Sequence, residues 1–146
     1  MILIAFVDDG GGMMFNHRRQ SRDRVAQGRI LDMTTGSALW MNEYSAPLFT
    51  EFAAPQIQID AQFLDKAGPG NYCLVENADV TPYLPFIEKI ILFHWNRAYP
   101  SDVKFPIKLD SGKWQLISTE DFPGSSHDKI TMESCIQKST RKIKKF

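Results

Sequence analysis

The chain has 146 residues, and its 17 Lys and Arg residues are balanced by 17 Asp and Glu residues. This length fits one domain, and a hydrophobic content of 43% with 12% aromatic residues is ordinary for a packed core, which excludes a disordered chain. Zero net charge argues against nucleic acid and acidic membranes as partners. The charges are unevenly placed, because residues 1–80 hold six basic and ten acidic side chains.

Cysteine usage and the first residues bear on the compartment. Cys73 and Cys135 are too few for a disulfide scaffold and lack zinc-ligand spacing. The apolar run 1–7 ends at once at Asp8 and Asp9, and it lacks the basic start and cleavage site of a signal peptide. No apolar run reaches 18 residues, the length that a membrane span needs. We therefore expect a reduced, cytoplasmic protein with no membrane contact.

In chain order, the first half of the sequence predicts strands that alternate with helices. A helix is expected to begin near Ser21 and Asp23 and to end at Gly36, because Ser and Asp are helix N-caps and Gly ends helices. The three consecutive glycines within 8–12 predict a turn with close backbone approach. Buried strands are predicted at 1–7, 38–41 and 72–75, a strand with alternating faces at 56–59, and short helical segments at 46–52 and 60–66.

The second half predicts consecutive strands instead. A short helix at 81–85 precedes a long strand at 87–95, and strands at 114–119 and 129–135 flank a hairpin connection at 122–126. This order predicts an α/β fold with a central, mostly parallel mixed sheet and an antiparallel C-terminal edge. We expect one domain over 1–137, followed by a basic tail at 138–146.

Several motifs in this order resemble dihydrofolate reductases. The resemblance rests on the strand 87–95, on the run Asp102…Phe105-Pro106 that leads to Trp114, and on the first strand with its Gly-rich loop. The segment 34–41 is similar to the family's T-x-G-x-x-x-x-M approach to the second strand, and Ser126-His127 to a Ser-His pair in its last hairpin. The resemblance implies the three-layer dihydrofolate reductase-like fold, in a divergent, small bacterial branch of the family.

The resemblance also implies where NADPH would bind, and the sequence departs from the family there. Family members have Gly-Gly after the strand matched by 72–75 and Gly-Arg after the second strand, whereas this chain has Glu76-Asn77 and Asn42-Glu43. Ser45 stands at the family's Thr position. Two like charges about 4 Å apart cost on the order of 4 kcal/mol at an effective dielectric of ~20. Glu43 and Glu76-Asn77 therefore disfavour NADPH.

The substrate side departs as well. The position of the family's pterin-anchoring carboxylate is Ala26, and the nearest acid is Asp23, which is the expected catalytic residue if an enzymatic activity remains. Phe93 replaces the partner Thr on the long strand, and Met13 lies in the Gly-rich loop. Conventional folate reduction is therefore not expected.

Acids follow three strands that we expect to be neighbours in the sheet, namely Asp8-Asp9, Glu43 and Glu76. Ligands of parallel sheets bind beyond these strand ends, so the acids predict either a Mg²⁺ or cationic-ligand site or simple helix capping. A group of arginines, which includes Arg18 and Arg19, follows the Gly-rich loop. They predict a phosphate grip, a solvated face, or pairs with Asp8, Asp9 and Glu43.

The three histidines lie far apart, and without a zinc-binding motif they argue against a zinc-dependent nuclease. Ser125, Ser126 and His127 predict a shared hydrogen-bond network, but no partner acid adjoins them, so no hydrolase is predicted. The leading hypothesis is a small-molecule-binding or regulatory domain in which the cofactor is unknown. The alternatives are an NAD(P)H-dependent pterin- or nucleotide-type reductase with altered cofactor binding, and a protein-interaction module that uses Trp40, Trp95 or Trp114 as exposed aromatics.

Overall fold

The computed structural model describes residues 1–138, so most of the predicted tail at 138–146 lies outside the described residues. The chain builds a seven-stranded sheet, a small three-stranded sheet and two α-helices. The strands are β1 (Ile2–Val7), β2 (Gly12–Phe15), β3 (Arg18–Arg19), β4 (Leu39–Met41), β5 (Ile57–Ile59), β6 (Tyr72–Leu74), β7 (Lys89–His94), β8 (Val103–Lys104), β9 (Trp114–Phe122) and β10 (Ile130–Gln137). The helices are α1 (Arg24–Met33) and α2 (Phe63–Lys66), and 3₁₀ turns span Ala46–Phe49 and Thr81–Phe86.

The main sheet has the order β5-β4-β6-β1-β7-β10-β9. The first five strands run parallel, while β10 is antiparallel to β7 and to β9. This confirms the predicted mostly parallel sheet with an antiparallel C-terminal edge. It also confirms that β4, β6 and β1 are neighbours, which brings the loops after them to one edge of the sheet.

Both faces of the sheet are covered, as the apolar first strand predicted. Leu3, Ala5 and Val7 of β1 join one core cluster, whereas Ile4 and Phe6 join another on the opposite face. Side chains of α1 pack only into the second cluster. This alternation follows from the two-residue period of a strand, and a strand covered on both faces has no polar side. The structure is therefore layered around the sheet.

Helix α1 begins where the sequence predicted. Asp23 is its N-cap in an extended conformation, and its side chain accepts hydrogen bonds from the backbone N–H groups of Val25 and Ala26. An Asp side chain at this position replaces the missing intrahelical acceptors of the first turn. The N-cap thus fixes the position of the Asp23 carboxylate.

The small sheet β3-β2-β8 was not predicted from the sequence. β2 and β3 are joined by Asn16 and His17, which both have positive φ, as a tight hairpin requires. At Gly12, the first residue of β2, the backbone passes close to Ser101, because a Cβ at Gly12 would lie 2.5 Å from the Cβ of Ser101. The hairpin places Arg18 and Arg19 beside the edge at which the parallel strands end.

Three further features complete the fold. Both cysteines are free and buried, and burial raises the pKa of the Cys73 thiol to about 12. The outer strand β9 is exposed along both faces between Trp114 and Phe122. Within residues 1–138, neither helix is long and apolar enough to cross a lipid bilayer.

Candidate functional site

A buried ion pair stands where the parallel strands end. Arg19 donates two hydrogen bonds to the Glu76 carboxylate, from Nε to Oε2 at 2.9 Å and from a terminal nitrogen to Oε1 at 3.0 Å. The Ser45 hydroxyl donates a third hydrogen bond to Oε1 at 2.8 Å. Glu76 and Ser45 are buried, so these three donors replace water around the carboxylate.

Tyr44 fixes the arginine of this pair. Its hydroxyl accepts a hydrogen bond from the backbone N–H of Arg19 at 2.7 Å, and its carbonyl accepts one from the guanidinium at 3.0 Å. The guanidinium lies over the Tyr44 ring, 4.5 Å from its centroid. Burial lowers the pKa of Arg19, but the hydrogen bonds and charge of Glu76 outweigh it and raise that pKa above its ordinary value. We call Arg19, Tyr44, Ser45 and Glu76 the Glu76 cluster.

Asp8 organises the glycine loop rather than offering a free carboxylate. Its oxygens accept hydrogen bonds from the backbone N–H groups of Gly10, Gly12 and Tyr99 at 2.7–3.0 Å, and from Nε2 of Gln20 at 3.2 Å. Burial raises the pKa of Asp8, yet these donors together outweigh it and lower that pKa below its ordinary value. The side chain therefore has a structural role in the loop after β1.

The other predicted crevice residues do not form a single ligand cradle. Asp9, Glu43 and Arg18 are exposed, and Asn77 accepts a hydrogen bond from Asn42 at 2.8 Å. Met13 and Phe93 are buried in opposite core clusters. Phe93 packs against Phe6, with ring centroids 5.3 Å apart. Each of these two apolar side chains is thus held by the core.

One interpretation of the charged residues needs correction, and a second stays a prediction. The basic partner in the crevice is Arg19, as one alternative predicted, but it neutralises Glu76 and not Asp8, Asp9 or Glu43. Among residues 1–138, no three His, Cys, Asp or Glu side chains come close enough to share a metal ion. Asp8 and Glu76 are engaged with other groups, and the Mg²⁺ hypothesis stays a prediction.

Little space remains beside the Glu76 carboxylate itself. The cavity between Arg19, Glu76 and the aromatic rings of Phe6 and Trp95 measures about 10 Å³, which is the room of one water molecule. A larger cavity of about 380 Å³ lies at the opposite end of the sheet, where Met1 and Glu88 precede β1 and β7. The predicted crevice is therefore narrow, and the wider cavity lies where no ligand was predicted.

A second polar group contains Asp23, the predicted catalytic residue. Asp23 is fully buried, and its Oδ2 accepts hydrogen bonds from the backbone N–H of Ser126 at 2.8 Å and from Nδ1 of His127 at 3.0 Å. Its Oδ1 accepts from the backbone N–H of Ser125 at 3.1 Å, in addition to the first turn of α1. Burial raises the pKa of Asp23, but these donors outweigh it and lower the pKa to about 2.

On its other side, His127 meets two hydroxyl groups. Its Nε2 lies 3.0 Å from Oγ of Ser21 and 3.1 Å from the hydroxyl of Tyr99. Trp95 stacks on the imidazole with centroids 4.5 Å apart. The network predicted around Ser125, Ser126 and His127 exists, but of the two serines only Ser125 contributes its side chain. We call Ser21, Asp23, Tyr99 and His127 the His127 network.

Sequence reasoning missed Ser21, Tyr44 and Tyr99 as members of these two groups. The available signal was a Ser-His sequence in a predicted hairpin together with an Asp at a predicted helix N-cap. An ordered, buried histidine needs a hydrogen-bond partner for each ring nitrogen, and the Asp is one such partner. The tryptophans also need correction: Trp95 and Trp114 are buried in the core and Trp40 is half-buried, so none is an exposed aromatic.

Comparison with known proteins supports the fold. No protein-family model matches the sequence, and no curated protein is significantly similar to it. Among solved structures, the chain is similar to a dihydrofolate reductase from Enterococcus faecalis, complexed with NADP(H) and RAB-propyl. The TM-score is 0.65 at 10% sequence identity, and the match covers 94% of this chain and 95% of that chain. The predicted dihydrofolate reductase-like fold is thereby confirmed, and an identity this low shows the fold alone.

The residues present do not fit the NADPH that this fold implies. A pyrophosphate at the ends of β4 and β6 would meet the buried Glu76 carboxylate, which repels it. Arg19, the one cation in the Glu76 cluster, already makes two hydrogen bonds to Glu76. Since the adjoining cavity measures about 10 Å³, phosphate would have to displace this pair before it could bind.

Proposed function

We propose that this chain is a small-molecule-binding or regulatory domain on a dihydrofolate reductase-like fold, without conventional NADPH-dependent folate reduction. The observation that carries the proposal is the Arg19–Glu76 pair, buried with Ser45 at the ends of the parallel strands. Removing one partner of a fully buried pair costs roughly 3–5 kcal/mol, and the cost for this pair is smaller because Arg19 is 22% exposed. An anionic cofactor must overcome this cost in addition to the repulsion from Glu76.

The chemistry of the cluster favours a neutral or cationic ligand over an anionic one. A cation gains from the Glu76 carboxylate without displacing Arg19, whereas a phosphate requires the pair to separate. The cytoplasm remains the predicted compartment, supported by two cysteines that are both unpaired. The proposed partner is a small molecule, and neither nucleic acid nor a membrane is proposed.

A reductase that holds its cofactor differently is the second candidate. Its support is the exposed Arg18, which lines a surface depression of about 290 Å³ together with Tyr99 and Pro100. A guanidinium at the rim of a depression can bind phosphate. The hypothesis of a protein-interaction module is no longer supported by exposed tryptophans, because Trp95 and Trp114 are core residues.

Titration with NADPH separates the two candidates. Trp95 lies beside the cavity at Glu76, so its fluorescence reports on occupation of the crevice. The proposal predicts no saturable quenching below millimolar NADPH, with the enterococcal reductase as the positive control. Saturable quenching at micromolar NADPH would overturn the proposal and support the reductase.

A matched pair of variants tests whether the charge of Glu76 excludes NADPH. Glu76→Gln removes the buried charge and leaves Arg19 free to meet phosphate, so NADPH binding should tighten about tenfold or more relative to the wild type. Glu51→Gln removes the same charge from an exposed pair with Arg24 and should change nothing. If both variants bind NADPH as weakly as the wild type, the charge of Glu76 is not what excludes the cofactor.

A further inference from the structure

Three side chains of the His127 network stand in line. Oγ of Ser21 lies 3.0 Å from Nε2 of His127, and Nδ1 of the same ring lies 3.0 Å from Oδ2 of Asp23. A hydroxyl, an imidazole and a carboxylate in this order are the parts from which proteins build an activated serine. The three come from the approach to α1, from its N-cap and from the last hairpin, so no sequence motif unites them.

The surroundings of Asp23 decide the tautomer of His127. A carboxylate with its pKa lowered to about 2 is ionised, so it only accepts hydrogen bonds, and Nδ1 must donate. In the neutral imidazole, Nε2 then carries the lone pair and faces the hydroxyls of Ser21 and Tyr99. The ring is held in this orientation by Trp95, which stacks on it at an angle of 19°. Nε2 is therefore a positioned proton acceptor.

Tyr99 competes with Ser21 for this acceptor. A single lone pair accepts one hydrogen bond at a time, so only one of the two hydroxyls can donate to Nε2 in the neutral ring. Tyr99 also borders the depression of about 290 Å³ that Arg18, Arg19 and Gln20 line. Ser21 itself lines the cavity of about 10 Å³ next to Trp95, and this cavity and the depression share Arg19 and Gln20 in their walls.

We propose that Ser21 is a nucleophile, with His127 as its general base and Asp23 as the positioning residue, and that the substrate is a small carboxylic ester bound beside Tyr99. This activity goes beyond the ligand-binding function proposed above, and none of its reacting groups belongs to the Glu76 cluster. Ser21 is half-buried, and a cavity with room for one water molecule adjoins it.

The proposed hydrolysis consumes only the ester and water. As Oγ of Ser21 bonds to the ester carbonyl carbon, its proton passes to Nε2 of His127. The bond to the leaving alcohol then breaks, and the alcohol takes that proton. Water attacks the acyl-serine in the same way, so that the acid is released and the proton returns to Ser21. The net reaction converts an ester and water into an acid and an alcohol.

Covalent labelling with a fluorophosphonate tests the proposal on the full chain. The reagent phosphonylates activated serines, and peptide mass spectrometry locates the modified residue. We expect modification of Ser21, its loss in Ser21→Ala, and a labelling rate about a hundredfold lower in His127→Gln. Release of 4-nitrophenol from 4-nitrophenyl acetate should fall in the same two variants. The far-ultraviolet circular dichroism of each variant checks that it is folded.

Two further variants keep the test decisive if His127→Gln does not fold. Tyr99→Phe removes the competing hydroxyl, so Ser21 should label at least as fast as in the wild type. Ser126→Ala is the matched control, because Ser126 contacts Asp23 only through its backbone N–H and its side chain is exposed. No labelling of the wild type, labelling at Tyr99 or Ser126, or equal labelling in His127→Gln would each overturn the proposal.

Discussion

Asp23 and His127, 104 positions apart in the chain, form a buried hydrogen bond of 3.0 Å that joins the first helix to the last hairpin. The same carboxylate caps α1 and accepts from the backbone of Ser125 and Ser126. One side chain therefore serves as both a helix cap and a tertiary crosslink, and the predictions below begin from it.

Asp23→Asn should lower the free energy of unfolding by roughly 3 kcal/mol, because buried donors lose a charged acceptor. Either orientation of the amide sets its NH₂ group against backbone N–H groups that now donate to Oδ1 or Oδ2. Urea denaturation measures the loss. Asp32→Asn, an exposed acid on the same helix, is the control and should stay within about 0.5 kcal/mol of the wild type. Equal effects of the two substitutions would contradict the role assigned to Asp23.

Low pH should weaken the contribution of Asp23 to the free energy of unfolding. The pKa of Asp23 is about 2 in the folded protein against 3.8 for an unperturbed Asp, so the unfolded chain binds the proton more readily. The stabilisation is therefore fully present above pH 3.8 and is lost as the pH falls toward 2. It amounts to roughly 2 kcal/mol. Asp8, whose pKa is also lowered, adds to the acid sensitivity of the whole protein in the same direction.

Urea denaturation of the wild type and of Asp23→Asn at several pH values isolates the Asp23 contribution. The difference between the two free energies of unfolding should be constant at pH 5–7 and should shrink by about 2 kcal/mol between pH 4 and pH 2. A difference that does not change with pH would show that Asp23 titrates alike in the folded and unfolded protein.

Two glycine substitutions should act in opposite directions. A Cβ at Gly124 would overlap the Asp23 carboxylate and lie 2.9 Å from the carbonyl oxygen of His127, so Gly124→Ala should destabilise the protein by about 2 kcal/mol. In α1, a Cβ at Gly28 would meet only a ring carbon of Phe52 at 3.8 Å. Gly28→Ala should therefore stabilise the protein by about 0.5–1 kcal/mol through helix propensity. Thermal unfolding followed by circular dichroism distinguishes the signs, and a stabilising Gly124→Ala would contradict the packing described.

The Glu76 cluster should matter for stability as well as for binding. Glu76→Gln leaves the Arg19 guanidinium, which is only 22% exposed, without its counter-charge, and about 2 kcal/mol should be lost. Glu51→Gln breaks the pair with Arg24, whose side chain is 71% exposed, and should cost less than about 0.5 kcal/mol. Guanidinium denaturation of both variants measures the contrast. A cost for Glu51→Gln that equals the cost for Glu76→Gln would show that burial does not set the strength of these pairs.

The sequence predicted the framework of the fold well, because the signals for it are local. Apolar runs marked β1 and β4, and Asp23 marked the start of α1. The predicted helix at 46–52 is a 3₁₀ turn at Ala46–Phe49. The small sheet was missed, since β3 and β8 have two residues each and so carry no periodicity.

The sequence did not predict which side chains contact one another at the sheet edge. The strand order correctly brought Glu76 to the crevice edge, yet its partner Arg19 lies 57 positions away among several arginines that are alike in sequence. In the same way, nothing local connects Ser21 to His127. Such pairings depend on how loops cross the end of the sheet, and composition and spacing do not encode that.

The strand order also determines when this protein can fold during synthesis. β1 is made first, but it pairs with β6 and β7, whose residues are 72–94, and β7 in turn pairs with β10 at Ile130–Gln137. A nascent chain therefore carries its most apolar strand unpaired until β6 and β7 have left the ribosome. Contacts this distant in sequence slow folding and leave aggregation-prone apolar segments exposed in the meantime. Overproduction at lowered temperature, or with chaperones, should consequently raise the yield of native protein.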